Sequence, residues 1–211
     1  MKVLLVDDHA LLREGLAELL RHYPDVEVVG QAGDGREAIR LARSLRPDIA
    51  VLDIMMPDLN GIDATAELAR QAPEVKVLIV SMHDGAQHVF QALAAGASGY
   101  MLKQSASAQI VEALRTIQAG RRFLNPEVSS VVAEQLQRPR QASPLDSLSS
   151  RERQILQLVA EGRSSAMIGE ALHLSPKTID TYRSRLMEKL GIGDVAGLVK
   201  FAVLHGLTPL K

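Results

Sequence analysis

Five short, almost wholly apolar runs recur through the first 120 residues, at Lys2–Val6, Val26–Gln31, Ile49–Leu52, Lys76–Val80 and Gly99–Leu102. Runs this short, without polar alternation, suit strands buried on both faces, the condition of a parallel sheet covered by helices. The segments between them have helical spacing instead. Leu12, Leu16, Leu19 and Leu20 form one stripe, and Ala38, Leu41, Ala42 and Leu45 form the next, with Asp34 as its N-cap and Glu37 three residues on. Ala64–Gln71, Ala86–Ala95 and Ser107–Ala119 supply three more, and Pro47 and Pro73 close two of these helices. Five strands, each followed by a helix, predict an α/β domain: a doubly wound five-stranded parallel sheet over residues 1–120.

The pattern then changes. Residues 121–145, punctuated by Pro126, Pro139 and Pro144, read as a linker in which Val128–Gln137 has weak helical spacing. Residues 146–211 carry helical periodicity only, predicting a second, all-α domain. Arg151–Glu161 is stopped by Gly162, and Ser165–Leu172 makes a short helix. Ser175 and Pro176 open a longer helix as N-cap and first residue, running to Leu190 before Gly191, and Val195–Leu204 makes a fourth. A short helix, a tight connection and a longer helix suggest helix-turn-helix.

Composition narrows the function classes. The absence of cysteine excludes a disulfide framework, a thiolate metal site and a cysteine nucleophile. No apolar run approaches the ~18 residues of a membrane span, and the N-terminus, whose apolar stretch ends in Asp7 and Asp8, is no signal peptide. A cytoplasmic protein without membrane contact is expected. The lack of tryptophan speaks against single-strand binding by base stacking. The net charge of −1 conceals a mild gradient: residues 1–124 carry 13 basic and 16 acidic side chains, residues 145–211 carry 9 and 7.

Polar residues stand at the ends of the expected strands: Asp7 and Asp8 after Val6, Asp53 after Leu52, Ser81 after Val80, and Lys103 after Leu102. The carboxyl ends of parallel strands share one rim, where ligands bind, so these five residues are expected to converge. Three carboxylates together require a cation, and oxygen ligands suit Mg²⁺. Lys103 and the Ser81 hydroxyl suit a phosphoryl group. A carboxylate can itself accept phosphate, and Asp53, alone at the end of a central strand, is the best placed to do so. Any one aspartate taken singly is better explained as a helix cap, but five polar residues arriving together at strand ends are not. The chain contains neither G-x-S-x-G nor a Gly-rich phosphate loop, and His83, two residues beyond Ser81, reads as solvated.

These segments carry a resemblance. LLVDDHALLREGL, VLDIMMPDLNGID, LIVSMHD and GASGYMLK resemble a response-regulator receiver domain of flavodoxin-like fold, and LSSRERQILQLVAEGRSS with LSPKTIDTYRSRLMEKLGI resembles a LuxR-type DNA-binding domain. Together the chain resembles the NarL/FixJ class of two-component response regulators. The resemblance implies that Asp53 accepts phosphate from a sensor histidine kinase. Asp8 and Asp53 would hold Mg²⁺ with the Met55 main-chain carbonyl, and Asp7 would act partly through water. Ser81 would be the hydroxyl switch, Lys103 the partner of the phosphoryl group, and Tyr100 the aromatic switch, in preference to an ordinary strand-end core tyrosine. A regulator rather than an enzyme is implied. A haloacid-dehalogenase-type phosphatase is the rival, but it generally wants a second aspartate two residues after the nucleophile, where Met55 stands. A receiver that signals only through protein contacts, with a C-terminal helical bundle, is another.

On a helical wheel of about 100° per residue, Ile179, Leu186 and Leu190 form the core side of the longer C-terminal helix, with Tyr182 at its edge. Lys177, Thr181, Ser184 and Glu188 lie opposite, flanked by Asp180 and Arg185. Such a face fits the major groove of double-stranded promoter DNA. Lys177, Thr178, Arg183, Arg185 and Lys189 are candidates for phosphate or base contact. Asp180 serves either to accept from a cytosine amino group or as a helix N-terminal charge. One such unit reads a half-site, so a homodimer is expected on phosphorylation. The chain departs from the family where Met167-Ile168-Gly169 replaces the frequent Glu-Ile-Ala and where His173 replaces a common turn glycine.

Overall fold

The apolar runs become β1 (Lys2–Val6), β2 (Glu27–Ala32), β3 (Ile49–Leu52), β4 (Lys76–Ser81) and β5 (Gly99–Leu102) in a computed structural model that describes residues 1–136 and 144–208. Helices α1 (Ala10–Arg21), α2 (Gly35–Leu45), α3 (Gly61–Gln71), α4 (Ala86–Ala94) and α5 (Lys103–Gln118) follow them in turn. All strands pair in parallel, in the order β2-β1-β3-β4-β5. The order therefore reverses between β1 and β3, which opens a crevice at their carboxyl ends.

Both faces of the sheet are buried, which is why its strands lack polar alternation. Val3, Leu5, Ile49, Val51, Leu78 and Val80 pack with residues of α1 and α5, whereas Leu4, Val6, Leu52, Ile79 and Tyr100 pack with α2, α3 and α4. Each fully buried aliphatic side chain contributes about 1.5–3 kcal/mol. Asp34 caps α2 as expected, its carboxylate accepting from the Glu37 N–H at 2.8 Å.

The sheet has six strands rather than the expected five. Phe123–Leu124 forms a further parallel edge strand, β6, pairing with Gly99 and Tyr100 of β5. A strand of two residues is too short to show a periodicity. The first part of the expected linker is thus built into the sheet unit. It continues as α6 (Pro126–Leu136), which packs on α4 and β5. Val128 of α6 is fully buried in the cluster that contains Val89, Ala92 and Tyr100. Residues 137–143, the middle of the expected linker, lie outside the described residues, and Pro144–Ser147 form a 3-10 turn.

The chain divides into two compact units, Met1–Gln141 and Ala142–Lys211. The second contains α7 (Ser150–Ala160), α8 (Ser165–Leu172), α9 (Pro176–Leu190) and α10 (Val195–Leu204). Each start is capped by a side chain: Ser149 in a reciprocal capping box with Glu152, then Ser164, Ser175 and Asp194. Ile155, Leu158, Ile168, Ile179, Leu186 and Leu198 share one core. His173 closes α8 in the left-handed region at φ 54°. The departure at Gly169 has a steric cause, because a Cβ there would stand 2.6 Å from the Leu174 carbonyl oxygen in the turn between α8 and α9.

A tighter approach occurs in the first unit, where a Cβ on Gly61 would run into the Asp53 main-chain carbonyl. The obstacle is backbone, which cannot swing aside. Gly61→Ala is therefore expected to destabilise the first unit by about 3 kcal/mol or more. Urea unfolding of the variant checks this, and a loss below about 0.5 kcal/mol would show that the loop relaxes freely.

Candidate functional site

Strand geometry brings Asp7, Asp8, Asp53 and Lys103 together, and it sets Ser81 at the same end of the sheet with its hydroxyl bonded to the His83 N–H rather than to the acidic group. Asp7 and Asp8 leave the end of β1, Asp53 the end of neighbouring β3, Ser81 closes β4, and Lys103 begins α5 after β5. The Asp53 N–H still donates to the Val6 carbonyl at 2.8 Å, so the ladder extends one residue beyond β3 and fixes the carboxyl against β1. Ile54, Met56 and Leu59 bury their side chains beneath the loop that follows, and Gly61 N–H closes it on the Ile54 carbonyl at 2.9 Å.

Lys103 Nζ lies 2.8 Å from Asp53 Oδ2 and 2.7 Å from Asp7 Oδ2. All three side chains are buried. Burial pushes the Asp53 carboxyl up from 3.8 to about 6, against the pull of Lys103, with the Asp7 charge adding to the rise and the Met55 N–H opposing it. Burial draws Lys103 downward, but the charges of Asp53 and Asp7 outweigh it and hold the ammonium above its ordinary value. Asp7, Asp8, His9 and Asp53 each offer a ligand atom within 4.8 Å of the others. The group is rich in oxygen and suits a hard divalent cation.

A stability consequence follows from Asp53. Its raised value makes the folded state bind a proton more tightly than the unfolded chain. Stability is therefore lost as pH rises from about 4 to about 6, and the full cost of about 3 kcal/mol is present at pH 7. In EDTA at pH 7, Asp53→Asn is expected to be more stable than wild type by up to that amount, with the gap closing toward pH 4. Urea unfolding at both pH values checks this, and an unchanged gap would show that Asp53 is not its source.

Ser81 and Tyr100 are both buried and share an anchor that the sequence does not reveal. The Ser81 Oγ accepts from the His83 N–H at 3.1 Å, and the Tyr100 hydroxyl donates to the His83 carbonyl. Burial raises the Tyr100 phenol, a hydrogen bond with Ser81 partly opposing the shift. His83 is only half-exposed rather than solvated, and its ring stacks on His88 of α4 at 4.9 Å. Its contacts with Ser81 and Tyr100 are made by main chain, which no side-chain motif announces.

In the second unit, α8 and α9 form the expected helix-turn-helix. Ile179 and Leu186 are buried, while Lys177, Asp180, Thr181, Ser184, Arg185 and Lys189 are exposed and Thr178 and Arg183 are half-buried. Thr178, Thr181 and Ser184 bond within α9 or to its cap, and three more of the candidates are engaged by side chains of other helices of the unit. Asp180 Oδ1 accepts from the Ser165 hydroxyl at 2.6 Å, and Arg183 donates to the same Ser165 oxygen at 2.9 Å. Lys189 pairs with Glu152 of α7 at 3.0 Å. Lys177 and Arg185 make no ion pair among the described residues and present their charges outward. Among the described residues no helix is long and apolar enough to cross a membrane.

Comparison with known proteins agrees with both halves. Residues 3–115 match the response regulator receiver domain, and residues 146–202 match the bacterial regulatory proteins of the luxR family. The response regulator GacA of Pseudomonas aeruginosa is 40% identical over 208 residues, 98% of this chain and 97% of the relative. The response regulator UvrY of Escherichia coli is 35% identical over 208 residues, 98% and 95% of the two chains. Among solved structures, the RcsB response regulator of Salmonella typhimurium superposes with a TM-score of 0.69 at 27% identity, covering 99% of this chain and 98% of that one. An RcsB–DNA complex superposes with a TM-score of 0.61 at 27% identity, covering 99% of each. The chain belongs to the NarL/FixJ family of two-component response regulators, DNA-binding transcriptional regulators that join a receiver domain to a LuxR-type helix-turn-helix domain.

Proposed function

We propose that Asp53 is the phosphoacceptor of this receiver and a sensor histidine kinase its donor. The observation that carries the reading is the buried meeting of Asp53 with Asp7 and Lys103, beside the acidic pair at the end of β1. An Asp53 carboxylate oxygen attacks the phosphorus of a phosphohistidine. An O–P bond forms, the N–P bond breaks, and its electron pair returns to the imidazole, which takes a proton from solvent. Asp8 and Asp53 with the Met55 carbonyl would hold Mg²⁺, Asp7 acting through water. The bound ion would neutralise charge on the phosphoryl oxygens. Lys103, now shared between Asp7 and Asp53, pairs with a phosphoryl oxygen. The Ser81 hydroxyl turns from the His83 N–H to the phosphoryl group, and Tyr100, which shares that His83 anchor, moves with it.

The movement has two neighbours to act on. Tyr100 packs in the same cluster as Val89 of α4 and Val128 of α6, so both helices sense its position. In this reading phosphorylation shifts the receiver toward a homodimer, and paired DNA-binding domains occupy two half-sites of promoter DNA in the cytoplasm. The solved RcsB–DNA complex supports the DNA reading, and Lys177 and Arg185 on α9 are the principal contacts.

Incubation with acetyl phosphate and Mg²⁺, followed by intact-mass measurement, tests the acceptor. Wild type is expected to gain one phosphoryl group, and Asp53→Asn none. A fully labelled Asp53→Asn chain overturns the assignment, and full labelling of wild type in EDTA overturns the metal role.

A further inference from the structure

The metal reading above draws on oxygen alone, yet the same cluster contains one nitrogen. The His9 N–H donates to Asp7 Oδ1 at 2.8 Å, which folds the residue back over the end of β1. The Arg13 guanidinium holds the Asp7 carbonyl from the other side. The His9 ring then places Nδ1 2.8 Å from Asp8 Oδ1 and 3.2 Å from Asp7 Oδ1.

These contacts are hydrogen bonds and ion pairs to the two carboxylates, and their separations are also those of neighbouring ligands in a coordination shell. With metal–ligand bonds of about 2.1 Å, neighbouring octahedral ligands stand about 3.0 Å apart and opposite ones about 4.2 Å. Nδ1 already stands at neighbouring-ligand spacing from two carboxylates. The ligand atoms of Asp8, His9 and Asp53, within 4.8 Å of one another, close to a shell by small movements, with Asp7 beside them to act through water. The ring is 68% exposed, so turning it to meet an ion disturbs no packing.

We propose that His9 is an inner-sphere nitrogen ligand of the divalent cation held by Asp8 and Asp53, and that it biases the site toward first-row transition ions over Mg²⁺. The proposal rests on the metal reading above and adds a ligand to it. Mg²⁺ is hard and keeps its waters in preference to imidazole. Mn²⁺ and Co²⁺ accept imidazole more readily, Co²⁺ more strongly of the two. His9 therefore adds affinity for these ions and little for Mg²⁺. The metal chosen for phosphotransfer then depends on the residue after the acidic pair as well as on the pair itself.

The test uses the full-length chain loaded with Mn²⁺, Co²⁺ or Mg²⁺. Pulsed electron paramagnetic resonance of the Mn²⁺ form is expected to show nitrogen hyperfine coupling in wild type and none in His9→Ala or His9→Gln. Calorimetric titration is expected to show Co²⁺ affinity falling about tenfold in His9→Ala while Mg²⁺ affinity changes by less than about twofold. Asp8→Asn is expected to weaken all three ions. Bound Mn²⁺ without nitrogen coupling in wild type, or coupling that persists in both His9 variants, overturns the role of His9 and leaves the metal reading intact. A wild-type chain that binds none of the ions overturns both.

Discussion

At pH 7 and without metal, Lys103→Ala is expected to cost the receiver unit about 3–5 kcal/mol. The ammonium is the cation within hydrogen-bond distance of both Asp7 and Asp53, at 2.7 and 2.8 Å, in a place closed to solvent. Removing it leaves buried carboxylates facing each other, and Asp53 is already pushed up to about 6 with the lysine present. Without the lysine its value rises further, so the folded variant takes up a proton that the unfolded chain releases. The deficit therefore shrinks as pH falls from 7 to 5. Mg²⁺ is expected to restore part of it by bringing positive charge back to the cluster. Denaturation in EDTA at the two pH values, then in Mg²⁺, checks each part. A deficit that ignores both pH and metal would mean that Lys103 contributes through packing alone.

On the DNA side, Arg185→Ala is expected to cost about 1–3 kcal/mol of discrimination between operator and unrelated duplex, as the loss of a base contact does. Lys177→Ala is expected to weaken binding to all sequences alike and to lower the salt slope by about one. Both side chains lie exposed on α9 without an ion pair among the described residues. Arg183 and Lys189 are held against Ser165 and Glu152, so their alanine variants are expected to act first on the stability of the second unit. Fluorescence titrations over a salt series, with thermal unfolding alongside, separate the two effects. Equal slopes for Lys177→Ala and wild type would remove Lys177 from the phosphate contacts.

The site was largely legible in the sequence because a parallel sheet puts the carboxyl ends of its strands on one rim. Asp7, Asp53 and Lys103 needed only correct strand endings to be brought together. The caps at Asp34 and Ser175 were legible for a similar reason, since capping acts over three residues of chain. What stayed hidden depends on contacts between distant segments. Phe123–Leu124 joins the sheet because β5 offers an unpaired edge, and two residues carry no pattern of their own. The shared anchor of Ser81 and Tyr100 is the main chain of His83. Asp180 and Lys189 look like free groups on α9 until Ser165 of α8 and Glu152 of α7 are placed beside them. The Gly169 departure becomes intelligible only when the Leu174 carbonyl occupies the space a methyl would need.

In the proposed function, phosphate on Asp53 shifts this chain toward a DNA-binding dimer. Moving such an equilibrium from 1:99 to 99:1 takes about 5.5 kcal/mol of differential binding, which must come from the new contacts of the phosphoryl group with Ser81 and Lys103. Sedimentation with operator titration, run with and without acetyl phosphate on wild type and Ser81→Ala, measures this shift. Phosphodonor is expected to raise both mass and DNA affinity in wild type, and Ser81→Ala is expected to be labelled but to gain much less of either. A wild-type chain that is already a full-affinity dimer without phosphate, or whose mass and affinity do not change on labelling, would contradict it.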